Sequence, residues 1–238
     1  MQAYAKALGV ILRRVRFAEA SLIVTWYTRE RGRIRTVAKG ALRGKSSLRA
    51  ALDLLSVCRI VFHDRPGVEL HILREADLER SHAELASNLD AYHAGLYVLD
   101  LLDLGTADGV AEPDLFDEAL RALDTLVAGY RHGIVVRFER ALLDSLGRLP
   151  SLECARCGRS IVEGRRAGWE TEPGSLLCER CTPPNAPALP GAALRWWSGA
   201  DGEPSDAEAV ALGALTRTAL DHALERRPRT RRHVPLHR

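Results

Sequence analysis

Cys154-x-x-Cys157 and Cys178-x-x-Cys181 stand 20 residues apart in a chain that has one further cysteine, Cys58. A two-residue spacer closes a tight knuckle, and two knuckles can turn four thiolates onto one ion in a tetrahedron. Sulfur fills all four positions and leaves none open for water or substrate. The expected ion is therefore one structural zinc on Cys154, Cys157, Cys178 and Cys181. Gly158, directly after the first pair, is expected in a left-handed conformation that lets the backbone approach the thiolates. A redox dithiol and four unligated core thiols are the competing readings. Cys58 falls in a predicted strand and reads as a small buried hydrophobe. An odd count of five cysteines does not suit a disulfide framework. Leu8 to Leu12 ends at Arg13-Arg14, too short for a signal-peptide core, and no stretch reaches the ~18 apolar residues of a membrane span. These features point to the cytoplasm and to no membrane partner.

The second chemical signal is charge. The net charge of +3 conceals a segregation: residues 1–75 carry 15 Lys/Arg against 6 Asp/Glu, and residues 76–150 carry 6 against 14. Between residues 13 and 49 stand eleven cations and only Glu19 and Glu30 as acids; from Arg226 onward there are six arginines and no acid. A local excess of cations attracts polyanions, so a nucleic-acid surface is expected, a solvated charged face being the alternative. Lys39, Arg43, Lys45 and Arg49 supply cations in a polar loop where Gly40 and Gly44 permit close approach to a phosphate backbone. Arg13, Arg14, Arg31 and Arg35 extend the patch.

Other patterns carry less. Gly40-Ala-Leu-Arg-Gly44-Lys45-Ser46 imitates a nucleotide-binding loop, but three residues separate its glycines where four are needed, and Lys39 occupies the first glycine's place. Trp26 and Tyr27 border the basic region and could stack on bases, although at most one of two adjacent strand residues can face outward. Trp196 and Trp197 read as packing residues. The eight histidines are scattered, and no nucleophile–base pair stands out, so no enzymatic turnover is expected.

The elements that must position these groups follow from periodicity. Leu8–Val15, Leu22–Tyr27, Ile34–Val37, Leu54–Phe62 and Val68–Leu73 read as short strands, with turns at Arg29–Gly32 and Asp64–Gly67. Five strands in about 70 residues suggest a small barrel, OB-type or SH3-like. From Ala76 the period shifts to about 3.6. One helix begins near Asn88 or Asp90 as its cap, one at Pro113, and one runs from His132 to Leu146, together expected as a helical bundle. A last helix, Ser205 to Arg226, opens with a Ser205-x-x-Glu208 capping box. The expected class is α+β and multidomain: an OB-type β-barrel domain over 1–75, an α-helical body over 76–150, an embedded four-cysteine zinc module over 151–188, and a returning helix with a basic tail over 189–238. A zinc-ribbon RNA-binding or ribosome-associated factor is the alternative function.

Thr36-Val-Ala-Lys39-Gly40-Ala41 followed by Lys45-Ser46 resembles a characteristic segment of the bacterial recombination mediator family RecO. Glu19, Thr28-Arg-Glu-Arg-Gly32, Arg137-Phe138-Glu139-x-x-Leu142-Leu143-x-x-Leu146-Gly147 and Pro150 fit the same pattern in the same order. Arg227-Pro-Arg229-Thr230-Arg231 is similar to the family's basic terminus, with Pro and Thr as departures. The resemblance implies binding of single- and double-stranded DNA, annealing of complementary strands, and help in loading recombinase onto DNA coated by single-strand binding protein. It implies RecR and the acidic C-terminal tail of single-strand binding protein as partners, and a nucleoid-associated location in the cytoplasm. The acidic 76–150 segment would then repel DNA and serve protein contacts. Arg137, with Arg140 one turn on and Phe138 between them, is expected to grip that tail's carboxylates. Surface pairing is the competing reading, for Arg140 with Asp144 at i,i+4.

Overall fold

A computed structural model describes residues 3–44, 46, 48–64, 67–161, 166–170, 175–199 and 202–237. Lys45 lies outside these residues, as do Arg65 and Pro66 of the second expected turn. The chain forms two compact units, residues 1–128 and 129–238.

The first unit is built on a closed barrel of five strands: β1 (Ala3–Phe17), β2 (Ser21–Thr28), β3 (Gly32–Ala38), then, after a one-turn helix α1 (Leu48–Ala51), β4 (Ser56–Asp64) and β5 (Leu70–Ser81). The strands run round the barrel in the order β1-β2-β3-β5-β4, and the only parallel pair among them is β3 with β5. This Greek-key ring is the OB-like form of the two expected from sequence. Alternate residues fill its interior, among them Ala5, Ala7, Ile11, Leu22, Val24, Trp26, Ile34, Ile60 and Phe62. Trp26 donates its indole N–H to Thr36 Oγ1 at 2.9 Å, so the one polar atom of the largest core ring is satisfied.

Two strands are longer than their hydrophobic runs. β5 continues through Arg74, Glu75, Asp77, Glu79 and Arg80 because it pairs with β4 along its length, from His63↔Ile72 to Ser56↔Ser81. Ladder hydrogen bonds hold this stretch where buried apolar area does not, which is why its sequence lacks a strand's alternation. β1 pairs with β4 over Ala3–Val10 and with β2 over Gly9–Phe17, and its register against β2 slips by one between Ile11 and Arg13. That bulge reverses the facing of the strand. Beyond it Arg14 stands opposite Val24 and Arg16 opposite Leu22, on the side of core residues.

The barrel carries α2 (Leu89–Gly105) and α3 (Pro113–Val127) in its own unit. Asn88 caps α2, its side chain accepting from the Ala91 amide at 3.1 Å, and proline opens α3 as expected. α3 covers the outside of β2: Tyr27 lies 6.1 Å from Phe116, ring to ring, and its hydroxyl donates to the Glu112 carbonyl. Trp26 and Tyr27 are both fully buried, one inside the barrel and one beneath α3, so neither is available to stack on bases. Sequence alternation gives the two faces of a strand but not whether a helix covers the outer one.

Acids of α2, α3 and the loop between them pair with arginines of the barrel. Arg13 pairs with Asp103, Arg33 with Asp103 and Asp108, Arg29 with Asp117 through two hydrogen bonds of 2.9 Å, and Arg80 with Asp124. Exposed pairs of this kind contribute about 0–1 kcal/mol each, so their main effect is on the field around the unit. His82, buried at the end of β5, fixes α3 further: one ring nitrogen lies 2.8 Å from the Leu55 carbonyl and the other 2.8 Å from Asp124.

In the second unit α4 (His132–Ser145) packs on a later helix, α6 (Asp206–Ala223). The helices expected together over 76–150 are thus divided, α2 and α3 with the barrel and α4 with α6. Between α4 and α6 lie β6 (Arg166–Trp169), β7 (Leu176–Cys178) and β8 (Ala188–Pro190), an antiparallel sheet in the order β7-β6-β8, and α5 (Gly191–Trp197). The predicted capping box is formed: Ser205 Oγ accepts from the Glu208 amide, and Glu208 accepts from the Ser205 amide at 2.8 Å. The stretch after Arg226 folds onto α4 and α6. Arg231 pairs with Asp221, the Leu236 amide donates to Tyr130 Oη at 3.1 Å, and His237 meets the buried Glu139 at 2.7 Å.

Gly32, at the start of β3, has φ of +61°, and a β-carbon there would overlap the Val110 carbonyl oxygen. Gly109 has φ of +75° but open space around it. Gly109→Ala should cost about 1–2 kcal/mol of conformational strain alone, and Gly32→Ala clearly more. Urea unfolding of the two variants checks the order; equal midpoints would refute the close packing of the 106–112 loop on the β2–β3 hairpin.

Candidate metal centre and nucleic-acid interface

The four cysteines of the two knuckles converge in the second unit, with all four sulfurs within 4.8 Å of one another. Cys157 Sγ and Cys178 Sγ are 3.7 Å apart. A disulfide would bring them to about 2.05 Å. A tetrahedral ion with metal–sulfur bonds of about 2.3 Å spaces its ligands by about 3.8 Å. This pair thus keeps the separation that an ion between them requires, and the four-sulfur donor set fits a closed, structural metal site.

Local backbone explains the convergence. The Gly158 amide donates to the Cys154 carbonyl at 2.8 Å, and the Cys154 amide to the Arg159 carbonyl at 2.8 Å, closing the first knuckle. Gly158 takes the expected left-handed conformation at φ of +68°, but a β-carbon would meet nothing, so conformation and not space selects glycine. In the second knuckle the amides of Cys181 and Thr182 both donate to the Cys178 carbonyl at 3.0 Å, and Thr182 Oγ1 donates to it as well. Arg156 ties the parts together. Its guanidinium donates to Glu170 at 2.8 and 3.0 Å and to the Cys181 carbonyl at 3.4 Å.

Electrostatics favour the thiolate at two of the four cysteines. Burial opposes ionisation of Cys154, but the amides of Cys178, Arg156 and Cys157 directed at its sulfur outweigh burial and bring it down to about 6. The Cys181 amide draws Cys178 below the ordinary thiol range. Cys181, hydrogen-bonded to Cys178 and Cys157, is pushed up to about 12. A cation is what allows all four to ionise together. Cys58, buried in the barrel unit, is likewise pushed up to about 12, by burial and then by the charge of Asp77. It is the inert thiol expected.

The basic residues divide by partner. Of the four expected to extend the patch, Arg13 pairs with Asp103, Arg14 with Asp53, Arg31 with Asp64, and Arg35 with Glu69 and Asp108. Arg16, Lys39 and Arg43 are exposed and meet no carboxylate among the described residues. They stand at one end of the barrel, since Arg16 pairs with Leu22, Leu22 with Ala38, and Lys39 follows Ala38. The 40–44 turn is anchored there: the Leu42 amide donates to the Ala20 carbonyl at 3.0 Å and the Gly40 amide to Ser21 Oγ. Arg49 falls in α1, its side chain outside what the structure describes, and Lys45 is outside altogether.

Arg16 is the residue that sequence reasoning passed over, because only the bulge in β1 turns it toward the barrel mouth. In the second unit, Arg137 donates to the Gly202 carbonyl at 3.0 Å. Arg140 lies 5.8 Å from the ring centres of both Trp196 and Trp197, packed against these indoles. Trp196 and Trp197 are the packing residues expected.

These features define an α+β chain that joins an OB-like barrel to a module whose four cysteines could hold a metal ion. Residues 1–82 match the family described as Recombination protein O N terminal, and residues 86–232 match Recombination protein O C terminal. The chain belongs to the recombination protein O family, RecO. It is similar to three proteins each named DNA repair protein RecO. The one from Rhodopirellula baltica is 37% identical over 74% of this chain and 66% of the relative. The one from Anaeromyxobacter dehalogenans is 32% identical over 79% of this chain and 75% of the relative. The third, from Listeria monocytogenes, is 29% identical over 74% of this chain and 68% of the relative. The first match spans just under two thirds of that relative's length. Among the described residues no helix is long and apolar enough to cross a membrane.

Protein prepared without chelator should carry one metal ion per chain by elemental analysis. Cys157→Ser should lower that content severalfold and Cys58→Ser should leave it unchanged. Acidification should release the ion, because protons compete with it for the thiolates. Metal content unaffected by Cys157→Ser would remove the cluster as its site.

Proposed function

We propose that this chain is a DNA repair protein that acts as a recombination mediator, working by binding and without turnover. It holds single- and double-stranded DNA on the barrel, anneals complementary strands, and with RecR helps load recombinase onto DNA coated by single-strand binding protein. The observation that carries this reading is the sorting of charge on the barrel. The arginines facing the acidic helices are neutralised, while Arg16, Lys39 and Arg43, around one mouth beside the anchored 40–44 turn, meet no carboxylate among the described residues. Cations on a glycine-containing turn grip phosphates without reading bases. Base edges on the held strand stay free to pair, and neutralising the phosphates removes the repulsion between two strands. Lys45 and Arg49 follow Arg43 closely in sequence and belong to the proposed DNA-binding set, which Arg13, Arg14, Arg31 and Arg35 extend from their ion pairs.

The metal is proposed to be zinc, one ion with a structural role, because four converging thiolates suit it and leave no open position. The ion holds the two knuckles together. Arg137 is proposed to receive the acidic tail of single-strand binding protein, its fork suited to a carboxylate, with the hydrogen bond to Gly202 fixing its orientation. The protein would act on DNA in the cytoplasm.

Annealing of complementary oligonucleotides tests the reading directly. The protein should accelerate it without ATP. Lys39→Ala/Arg43→Ala should weaken single-strand binding and reduce the slope of log affinity against log salt by about two, one for each phosphate no longer held. No acceleration by the folded parent protein, or parent-like binding by the double variant at moderate salt, would overturn it.

A further inference from the structure

At the mouth of the barrel lies a pocket of about 510 Å³, lined by Arg14, Arg16, Leu22, Ala41, Leu42 and Asp53. Leu42, half-buried, gives it an apolar floor over the buried Leu22 and Ala41, and two guanidiniums stand on its wall. We propose that this pocket receives one nucleotide of a single strand, its base on the apolar floor and its phosphate at Arg16. The inference rests on the reading that the barrel binds nucleic acid, and it adds what one part of that surface takes in.

Three observations support it. First, the pocket's volume suits a nucleotide, and it sets one apolar side chain, Leu42, beside charged ones. Small-molecule sites run from about 300 to 1,000 Å³ and combine apolar walls with a few placed polar groups. Second, its charge is arranged for an anion. Arg14 Nη1 is fixed on the Leu52 carbonyl at 2.8 Å and on Asp53, so that acid's charge is already matched and does not repel a phosphate. Arg16, directly across from Leu22, meets no carboxylate among the described residues, and the exposed Lys39 and Arg43 flank the same mouth. Third, the site is built and not incidental. The bulge in β1 turns Arg14 and Arg16 toward it, and the bond from the Leu42 amide to the Ala20 carbonyl holds the turn carrying Ala41 and Leu42 over it.

The consequence is a preference for single strands. A paired base cannot leave its stack to enter the pocket without losing its partner, whereas an unpaired base can be splayed out and packed on an apolar surface. A flat cationic surface would hold both forms alike.

The test compares a 20-mer of thymidines, dT20, with a 20-mer of abasic residues carrying the same phosphates. Parent protein should bind dT20 at least about fivefold more tightly, because a base packed on Leu42 buries apolar surface that an abasic residue lacks. Leu42→Gln, which keeps the charge and removes the apolar floor, should reduce that preference below about twofold with the salt slope unchanged. Arg16→Gln should weaken both strands alike and lower the slope by about one. In parent protein, 4-thiothymidine placed mid-strand should photocrosslink to peptides spanning 14–22 or 39–53, a readout that holds even if Leu42→Gln fails to fold. Equal affinity for the two strands would overturn the pocket and leave the barrel as a backbone binder. Crosslinks mapping elsewhere would also overturn it. So would displacement of dT20 by an equally charged acidic peptide as effectively as by unlabelled dT20, which would mark a peptide site. Failure to bind either strand would overturn the DNA-binding reading itself.

Discussion

The first unit depends on one constraint: β1 must pair with two neighbours at once. Its 15 residues hydrogen-bond to β4 over the first half and to β2 over the second, and the ring closes only because a single strand serves both. A strand that turns such a corner cannot stay regular, and the one-residue slip between Ile11 and Arg13 is where it yields. Everything at the mouth follows from that slip. Without it the side chains facing inward would alternate on from Ile11 in the same parity, and Arg14 and Arg16 would point to the outside. The position of the most basic part of the barrel is thus a by-product of closing it.

The charge segregation along the chain does not survive folding as a segregation in space. Asp103, Asp108, Asp117 and Asp124 come from the acidic 76–150 segment, and each meets an arginine of the barrel unit. The expectation of a negative surface standing apart requires a body separate from the barrel. α2 and α3 instead lie in the barrel's own unit. Arg16, Lys39 and Arg43 at one end of the barrel keep their charge unmatched by any carboxylate among the described residues, and local excess charge of one sign speeds the approach of polyanions.

How much of this is legible in the sequence depends on how local each feature is. The cysteine knuckles, the Ser205–Glu208 box, Pro113 at the start of α3 and Asn88 as the cap of α2 are written in a few adjacent residues, and the structure forms each of them. The five strands are legible wherever one side is buried. β5 reads too short because its second half is held by pairing to β4 and carries charged residues on both sides. The burial of Tyr27 is not legible, because the helix that covers it begins 85 residues further along the chain, beside Glu112. Arg16 cannot be singled out from sequence, since parity through a bulge is a property of the closed ring. The one-turn α1 carries too few residues to show a period.

Glu139 is fully buried, and its two oxygens are held by residues far along the chain: Thr216 at 2.6 Å and His237 at 2.7 Å. A carboxylate shut away from water is costly until its partners arrive. On a ribosome, α4 emerges long before either of them. The second unit therefore has no route to its finished packing while it is being made; helix α4 must wait for nearly a hundred residues of later synthesis. A shortened chain that lost the 231–237 stretch would keep every cysteine of the metal cluster and every strand of the barrel. It would still strand that carboxylate without its histidine, so its defect would show as slow or incomplete maturation at a place remote from the cut.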